Sequence, residues 1–262
     1  MQLSEETRKN LGAALFQALQ KVERIPTISK EWPEIDYEDA YEIQRHMLAE
    51  FQKAGYVRSG RKIGLTSKAM RDLVNINEPD YGSIYFNNYF PNGGTLRTAD
   101  FIIPRVEVEF AYKLKRNLDK LEHTREDVLE ATEFIVCALE LIDNRADMEG
   151  LKVYDSIADN AAFAGYTLGD IPLYPGEVDM RNVGVAVYKN GRQACVSSGA
   201  AVMGDATNGV VWLANKMAAL GEPLEAGEFI LAGSVVAAMP ARPGDSFMAD
   251  FGKFGRVSVC FE

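Results

Sequence analysis

A chain of 262 residues, nearly half of them apolar, can bury a full core as one large domain or as one domain with an appendage. Its formal net charge of −10, unrelieved by any basic patch, excludes a nucleic-acid backbone or an anionic membrane surface as the main partner, because both reward clustered Lys and Arg. The first residues show no basic region ahead of an apolar core, and no later stretch approaches about eighteen apolar residues, so a soluble cytoplasmic protein is expected. Cys137, Cys195 and Cys260 are odd in number and lie in apolar, strand-like contexts, which fits reduced thiols rather than a disulfide framework.

From Ser4 to about Arg24, the residues Leu11, Ala14, Leu15, Ala18, Leu19 and Val22 recur with helical spacing, and Ser4 is placed to cap the helix ahead of Glu5 and Glu6. A second amphipathic helix follows the linker Ile25 to Pro33. Asp36 caps it, Ala40, Ile43, Met47 and Phe51 line one side, and Gly55 ends it. Residues 1–60 thus read as a helical subdomain and 61–262 as a β-rich catalytic domain. His46, among polar neighbours in the second helix, is assigned no role.

Across Gly60 to Lys68 a short strand breaks into a helix capped by Ser67, a geometry that offers backbone donors and hydroxyls to an anion. Lys62, with Ile63 and Leu65 close by, is either partly buried with a pKa lowered towards proton transfer or a surface lysine extended beside Arg61. Asn75 to Gly82 reads as a loop punctuated by Pro79 and Gly82. Asp80 there either braces the turn or, near a lysine and a metal, serves as an acid and base.

Ile103 to Phe110 places Glu107 and Glu109 at spacing i, i+2 in a strand pattern, so both carboxylates share one face while Val106, Val108 and Phe110 share the other. Two anions on one face fit a solvated edge of an amphipathic strand, or an enclosed pair that needs a proton, a basic partner or a metal cation. Glu140 tips this balance. It interrupts the apolar run Phe134 to Ile142, a buried-strand pattern that gives it no solvated face. Glu107, Glu109 and Glu140 on neighbouring strands would form an oxygen cage for a hard divalent ion, Mg²⁺ or Mn²⁺.

Lys115 to Asp119 reads as a turn, and Thr124 with Asp127 as a capping box for a short helix through Ala131. Asp143 and Arg145 are expected to pair at a strand end. Tyr154 to Ala162, polar and then small, suggests close backbone packing. The last hundred residues are mostly β: Val183 to Tyr188 and Gln193 to Val196 form a hairpin across Asn190-Gly191. One helix, Asn208 to Leu220, turns Val211, Ala214 and Ala218 inwards, and the strands Phe229 to Ala232 and Arg256 to Phe261 follow. No nucleotide-binding, zincin or nucleophile-elbow motif is present, and two histidines leave little for a histidine triad or zinc site.

The segments Lys62 to Lys68, Glu78 to Gly82, Pro104 to Glu109, Ala138 to Asp143 and Trp212 to Lys216 together resemble the 2-oxo-acid hydratase and decarboxylase family of aromatic catabolism, over nearly the whole chain. The resemblance implies a fumarylacetoacetate-hydrolase-like α+β fold, a mixed β-sandwich or β-roll with N-terminal helices. It implies Mg²⁺ or Mn²⁺ on Glu107, Glu109 and Glu140, proton transfer by Lys62 and Asp80, and a small-molecule 2-hydroxydienoate or 2-oxo acid as the partner. Thr66, Ser67 and Ser234 are the candidate contacts to its carboxylate. A homo-oligomer is expected, with a pathway enzyme as a further partner. The Pro79-Asp80 pair favours hydration, of 2-oxohept-4-ene-1,7-dioate or 2-hydroxypenta-2,4-dienoate, to a 4-hydroxy-2-oxo acid. The alternatives are decarboxylation of 4-oxalocrotonate and a non-catalytic metal-binding partner subunit. Two stretches depart from the hydratase pattern: Gly204-Asp205-Ala206 replaces a His-Pro pair, and Val235 to Ala238 lacks a polar pair that would meet a distal carboxylate.

Overall fold

The structure, a computed structural model, describes residues 1–67, 71 and 76–262. The first helix, α1 (Glu5–Lys21), starts where the Ser4 side chain accepts the Thr7 N–H, with Glu5 and Glu6 favourably placed at the positive end of the dipole. A single turn, α2 (Ile28–Glu31), lies within the proline-flanked linker. Next comes α3 (Tyr37–Lys53), opened by a reciprocal capping box between Asp36 and Asp39. The Asp39 carboxylate also accepts the Gln2 and Leu3 N–H groups and faces Arg8 at 3.1 Å, which pins the start of α1 to the start of α3. The expected helix capped by Ser67 falls on residues outside the described ones.

The strands are β1 (Arg58–Gly64), β2 (Asp80–Tyr85), β3 (Gly94–Leu96), β4 (Arg105–Leu114), β5 (Thr132–Ile142), β6 (Phe163–Leu168), β7 (Gly184–Lys189), β8 (Arg192–Ser198), β9 (Phe229–Leu231), β10 (Met239–Pro240), β11 (Ser246–Asp250) and β12 (Arg256–Phe261). One sheet runs β2-β1-β9-β4-β5-β6 with β10 added beside β4, and the other runs β3-β12-β11-β7-β8. Both are mixed, through the parallel pairs β1/β9 and β3/β12. Three further helices are α4 (Arg125–Ala131), α5 (Val153–Ala158) and α6 (Ala206–Ala219).

Alternation along β4 divides the interior. Val106, Val108, Phe110 and Tyr112 enter a core shared with Val185, Val187, Phe247 and Val259 of the second sheet. Ala111, with Val136 and Ala138 of β5, joins a second core with Leu15, Ile43, Met47 and Phe51 of the N-terminal helices. Glu107 and Glu109 belong to this opposite, helix-facing side of the strand.

The β7–β8 hairpin turns at Asn190 and Gly191, both at positive φ (55° and 72°), the geometry that Asn-Gly favours. Helix α6 begins earlier than expected, with Asp205 as its cap. It buries Val210, Leu213, Ala214 and Met217 rather than Val211 and Ala218, which are half-buried. Arg145 does not pair with Asp143. The Asp143 carboxylate accepts the Ile102 and Ile103 N–H groups, whereas the fully buried Arg145 forms its ion pair with Asp159 at 2.5 Å.

Candidate active site and metal centre

Antiparallel pairing sets Glu107 of β4 directly opposite Glu140 of β5, and Glu109 follows two residues along the same face. One carboxylate oxygen from each of the three lies within 4.8 Å of the others. Glu109 and Glu140 are wholly buried and Glu107 is half-buried, so the solvated-face alternative is removed. Glu109 Oε2 accepts the Gly233 N–H at 2.8 Å, while Glu109 Oε1 and both Glu140 oxygens have no hydrogen-bond partner among the described residues. Burial raises all three carboxyls; repulsion from neighbouring glutamates adds to it at Glu109 and Glu140, and repulsion from Asp80 adds to it at Glu107. Glu140 is pushed up to about 7 and Glu109 well above the ordinary value. Convergent carboxylate oxygens without hydrogen-bond partners in a buried site fit a hard divalent cation, and these three residues are its candidate ligands.

Lys62, on β1, is buried. Its ammonium lies 3.2 Å from Glu140 Oε1 and donates to the Ala161 carbonyl at 3.0 Å. Burial alone would depress its pKa, but the carboxylates of Glu140, Asp80, Glu107 and Glu109 outweigh burial and leave it raised. The direction is opposite to the lowered value expected from burial: the surrounding carboxylates favour the ammonium form. Asp80 is likewise not in a loop but opens β2, paired with Gly64 at the end of β1. Gly64 is required there, because a Cβ would sit 2.1 Å from Asp80 Oδ1. Burial raises the Asp80 carboxyl, and Lys62 partly opposes that rise.

Both groups, with Glu107, line a cavity of about 1150 Å³; Thr66, Ser67 and Ser234 line it too. Thr66 is buried against Gly233, where a Cβ would lie 2.4 Å from its methyl group, and Ser67 is half-buried. The Ser234 hydroxyl donates to the Val236 carbonyl at 2.7 Å and lies 3.3 Å from the Val108 nitrogen, so it braces its own loop.

The segment that receives the Lys62 ammonium lies in the stretch Tyr154 to Ala162, which the sequence marked for close backbone packing without giving it a role. Asn160, Ala161 and Ala162 all have positive φ (52°, 50° and 58°), a run that costs each residue roughly 1–2 kcal/mol. It is held by Asn160, which exchanges two hydrogen bonds with the Ser83 backbone, and by Arg145, which binds Asp159 and the Phe163 carbonyl. The small residues of this stretch were the only available signal. Arg105, on the same face as Glu107, also reaches the cavity and donates to Asn144 Oδ1.

The chain is 41% identical to the 2-oxo-hept-4-ene-1,7-dioate hydratase of Escherichia coli over 263 residues, covering 98% of each chain. The chain belongs to the 2-oxo-acid hydratase and decarboxylase family. No family model matches it. A solved member of the family, the 4-oxalocrotonate decarboxylase of Pseudomonas putida G7 complexed with magnesium and adipate, superposes with a TM-score of 0.94 at 30% identity, over 99% of both chains. A remoter likeness, to the fumarylacetoacetate hydrolase of Exiguobacterium antarcticum, has a TM-score of 0.60 at 14% identity over 78% of this chain and 75% of that one. The α+β fold is therefore of the fumarylacetoacetate-hydrolase type. Among the described residues no helix is long and apolar enough to cross a membrane.

Proposed function

We propose that the chain is a metal-dependent hydratase that adds water to a 2-hydroxy-2,4-dienoate, 2-hydroxypenta-2,4-dienoate or a longer relative such as 2-oxohept-4-ene-1,7-dioate, to give a 4-hydroxy-2-oxo acid. The observation that carries this is the convergence of three carboxylates, one buried ammonium and one buried acid at a single cavity in a member of this family. Glu107, Glu109 and Glu140 would hold Mg²⁺ or Mn²⁺. When bound, the ion supplies a Lewis acid for charge developing on the C2 oxygen of the substrate.

The remaining work falls to the chain's own groups. Lys62, kept charged by its carboxylate neighbours, is a donor to the C2 oxygen rather than a base. Asp80 holds its proton to higher pH than an exposed aspartate, which suits it to deliver that proton at C5 and leave an enone. Ionised beside Lys62, it then takes a proton from the water that adds at C4, and the proton equivalent released by the C2 hydroxyl as the enone formed returns through solvent to C3, which closes the reaction with Asp80 protonated again. Thr66 and Ser67 fix the C1 carboxylate at the mouth of β1, and the closed backbone around Ala161 limits competing water. Product analysis tests this assignment. A 4-hydroxy-2-oxo acid without CO₂ is expected, and CO₂ with no hydrated product would contradict it.

The likeness to the solved decarboxylase favours a second reading, in which the same residues stabilise the dienolate left when 4-oxalocrotonate loses CO₂. Asp80 directly after Pro79 favours hydration over this. The same CO₂ measurement separates the two.

A further inference from the structure

We infer that Gly233 is a positioning residue that holds Glu109 to a single metal-facing oxygen and thereby biases the site towards a small octahedral ion and against Ca²⁺. The inference rests on the metal-site reading of Glu107, Glu109 and Glu140 and not on the reaction catalysed. It starts from a break in the ladder between β9 and β4. Leu231 pairs with Ala111, and the Ala232 N–H bonds the Phe110 carbonyl at 3.0 Å. The next bond runs from the Val235 N–H to the Val108 carbonyl at 2.9 Å, so Gly233 and Ser234 together stand opposite the single residue Glu109. This is a β-bulge, which turns a peptide group out of the ladder. The Gly233 N–H, released from backbone pairing, donates instead to Glu109 Oε2 at 2.8 Å. Glu109 Oε1 has no hydrogen-bond partner among the described residues and is the oxygen left for an ion.

Two close approaches hold the bulge in this shape. Gly233 has a φ of +104°, and a Cβ on it would lie 2.4 Å from the Thr66 methyl group. The carbonyl of the same peptide, Ala232 O, is abutted by Gly209 of α6, where a Cβ would stand 2.4 Å from it. The peptide that carries the N–H is therefore fixed at both ends. Mg²⁺ demands near-octahedral geometry and takes a carboxylate through one oxygen, whereas Ca²⁺ fills about six to eight positions and readily takes both oxygens of one carboxylate. An N–H held on Oε2 leaves Mg²⁺ the oxygen it uses and denies Ca²⁺ a second one.

Calorimetric titration of metal-free protein with Mg²⁺ and with Ca²⁺ tests the inference on wild type, Thr66→Ala and the double variant Thr66→Ala/Gly233→Ala. Thr66→Ala removes the methyl and hydroxyl that a new Cβ would strike, and an alanine at position 233 is driven out of the left-handed region, which turns its N–H away from Glu109. In the double variant Mg²⁺ affinity is expected to fall about 10–100-fold, as when the support of a metal ligand is lost, and Ca²⁺ affinity to fall less. The ratio of Ca²⁺ to Mg²⁺ affinity is then at least about tenfold higher than in Thr66→Ala. An unchanged ratio, with both affinities falling together, overturns the inference, because a glycine needed only for the fold would weaken both ions alike. A measurement on wild type decides the matter where the double variant fails to fold. The Gly233 amide proton of glycine-labelled protein is expected to keep its downfield, hydrogen-bonded resonance as Mg²⁺ is added, and an upfield move on loading overturns the inference. Wild-type protein that binds neither ion overturns the metal-site reading, and this inference with it.

Discussion

At the scale of single residues, the site is governed by carboxylates that have lost their water and lack full replacement. Glu140 stood out in the sequence because a charge inside an apolar run has no solvated face to turn to. Glu140→Gln keeps the shape and removes one anion, so Mg²⁺ affinity and dienoate turnover are both expected to fall by about a hundredfold or more, read by calorimetry and ultraviolet absorbance. Asp80→Asn should separate the two roles. Turnover is expected to drop by about 10²–10⁴-fold while Mg²⁺ affinity stays within a few-fold of wild type. The charge state of Lys62 was not legible in the same way, because it is set by Glu107, Glu109 and Glu140, which only the β1-β9-β4-β5 order brings near.

The same carboxylates fix a pH dependence. Glu140 titrates near 7 in the metal-free fold against an ordinary value of 4.5. With the folded value the higher one, the stability contributed by its bound proton is complete below about 4.5 and is lost as pH rises through about 7. Metal-free protein should therefore melt at a lower temperature at pH 8 than at pH 6. Mg²⁺ affinity should rise about tenfold over that interval as the proton is displaced, and calorimetry in buffers of different ionisation heat would register its release.

At the scale of elements, the helices were readable because their caps are local: Ser4 and Asp36 act within three residues of themselves. Strand β2 was not. Asp80 to Tyr85 is buried at every position and so shows no alternation. Gly82, which looked like a turn former, is instead a close approach, where a Cβ would lie 2.6 Å from the Asn160 carbonyl oxygen. The strained Asn160–Ala162 segment depends on the buried Arg145–Asp159 pair, and removing one partner strands the other charge. Asp159→Ala is expected to cost about 3–5 kcal/mol in denaturant unfolding, with any surviving fold losing turnover as the Ala161 carbonyl leaves Lys62.

At the scale of the whole molecule, the fold supplies what no single element could. The two sheets bury one face of β4 and leave the other to the N-terminal helices and the cavity, so the glutamates are enclosed without entering the inter-sheet core. The family and its fold were legible in five short segments: β1, β2, β4 and β5 of one sheet carry four of them, and α6 carries the fifth. The most direct test of the central claim is the ultraviolet decay of 2-hydroxypenta-2,4-dienoate, measured for wild-type and Glu107→Ala protein in Mg²⁺ and after chelation. Rapid decay by wild type in Mg²⁺, abolished by the chelator, restored by added Mg²⁺ and absent in the variant, is the predicted result; full turnover by Glu107→Ala in metal-depleted buffer would contradict it.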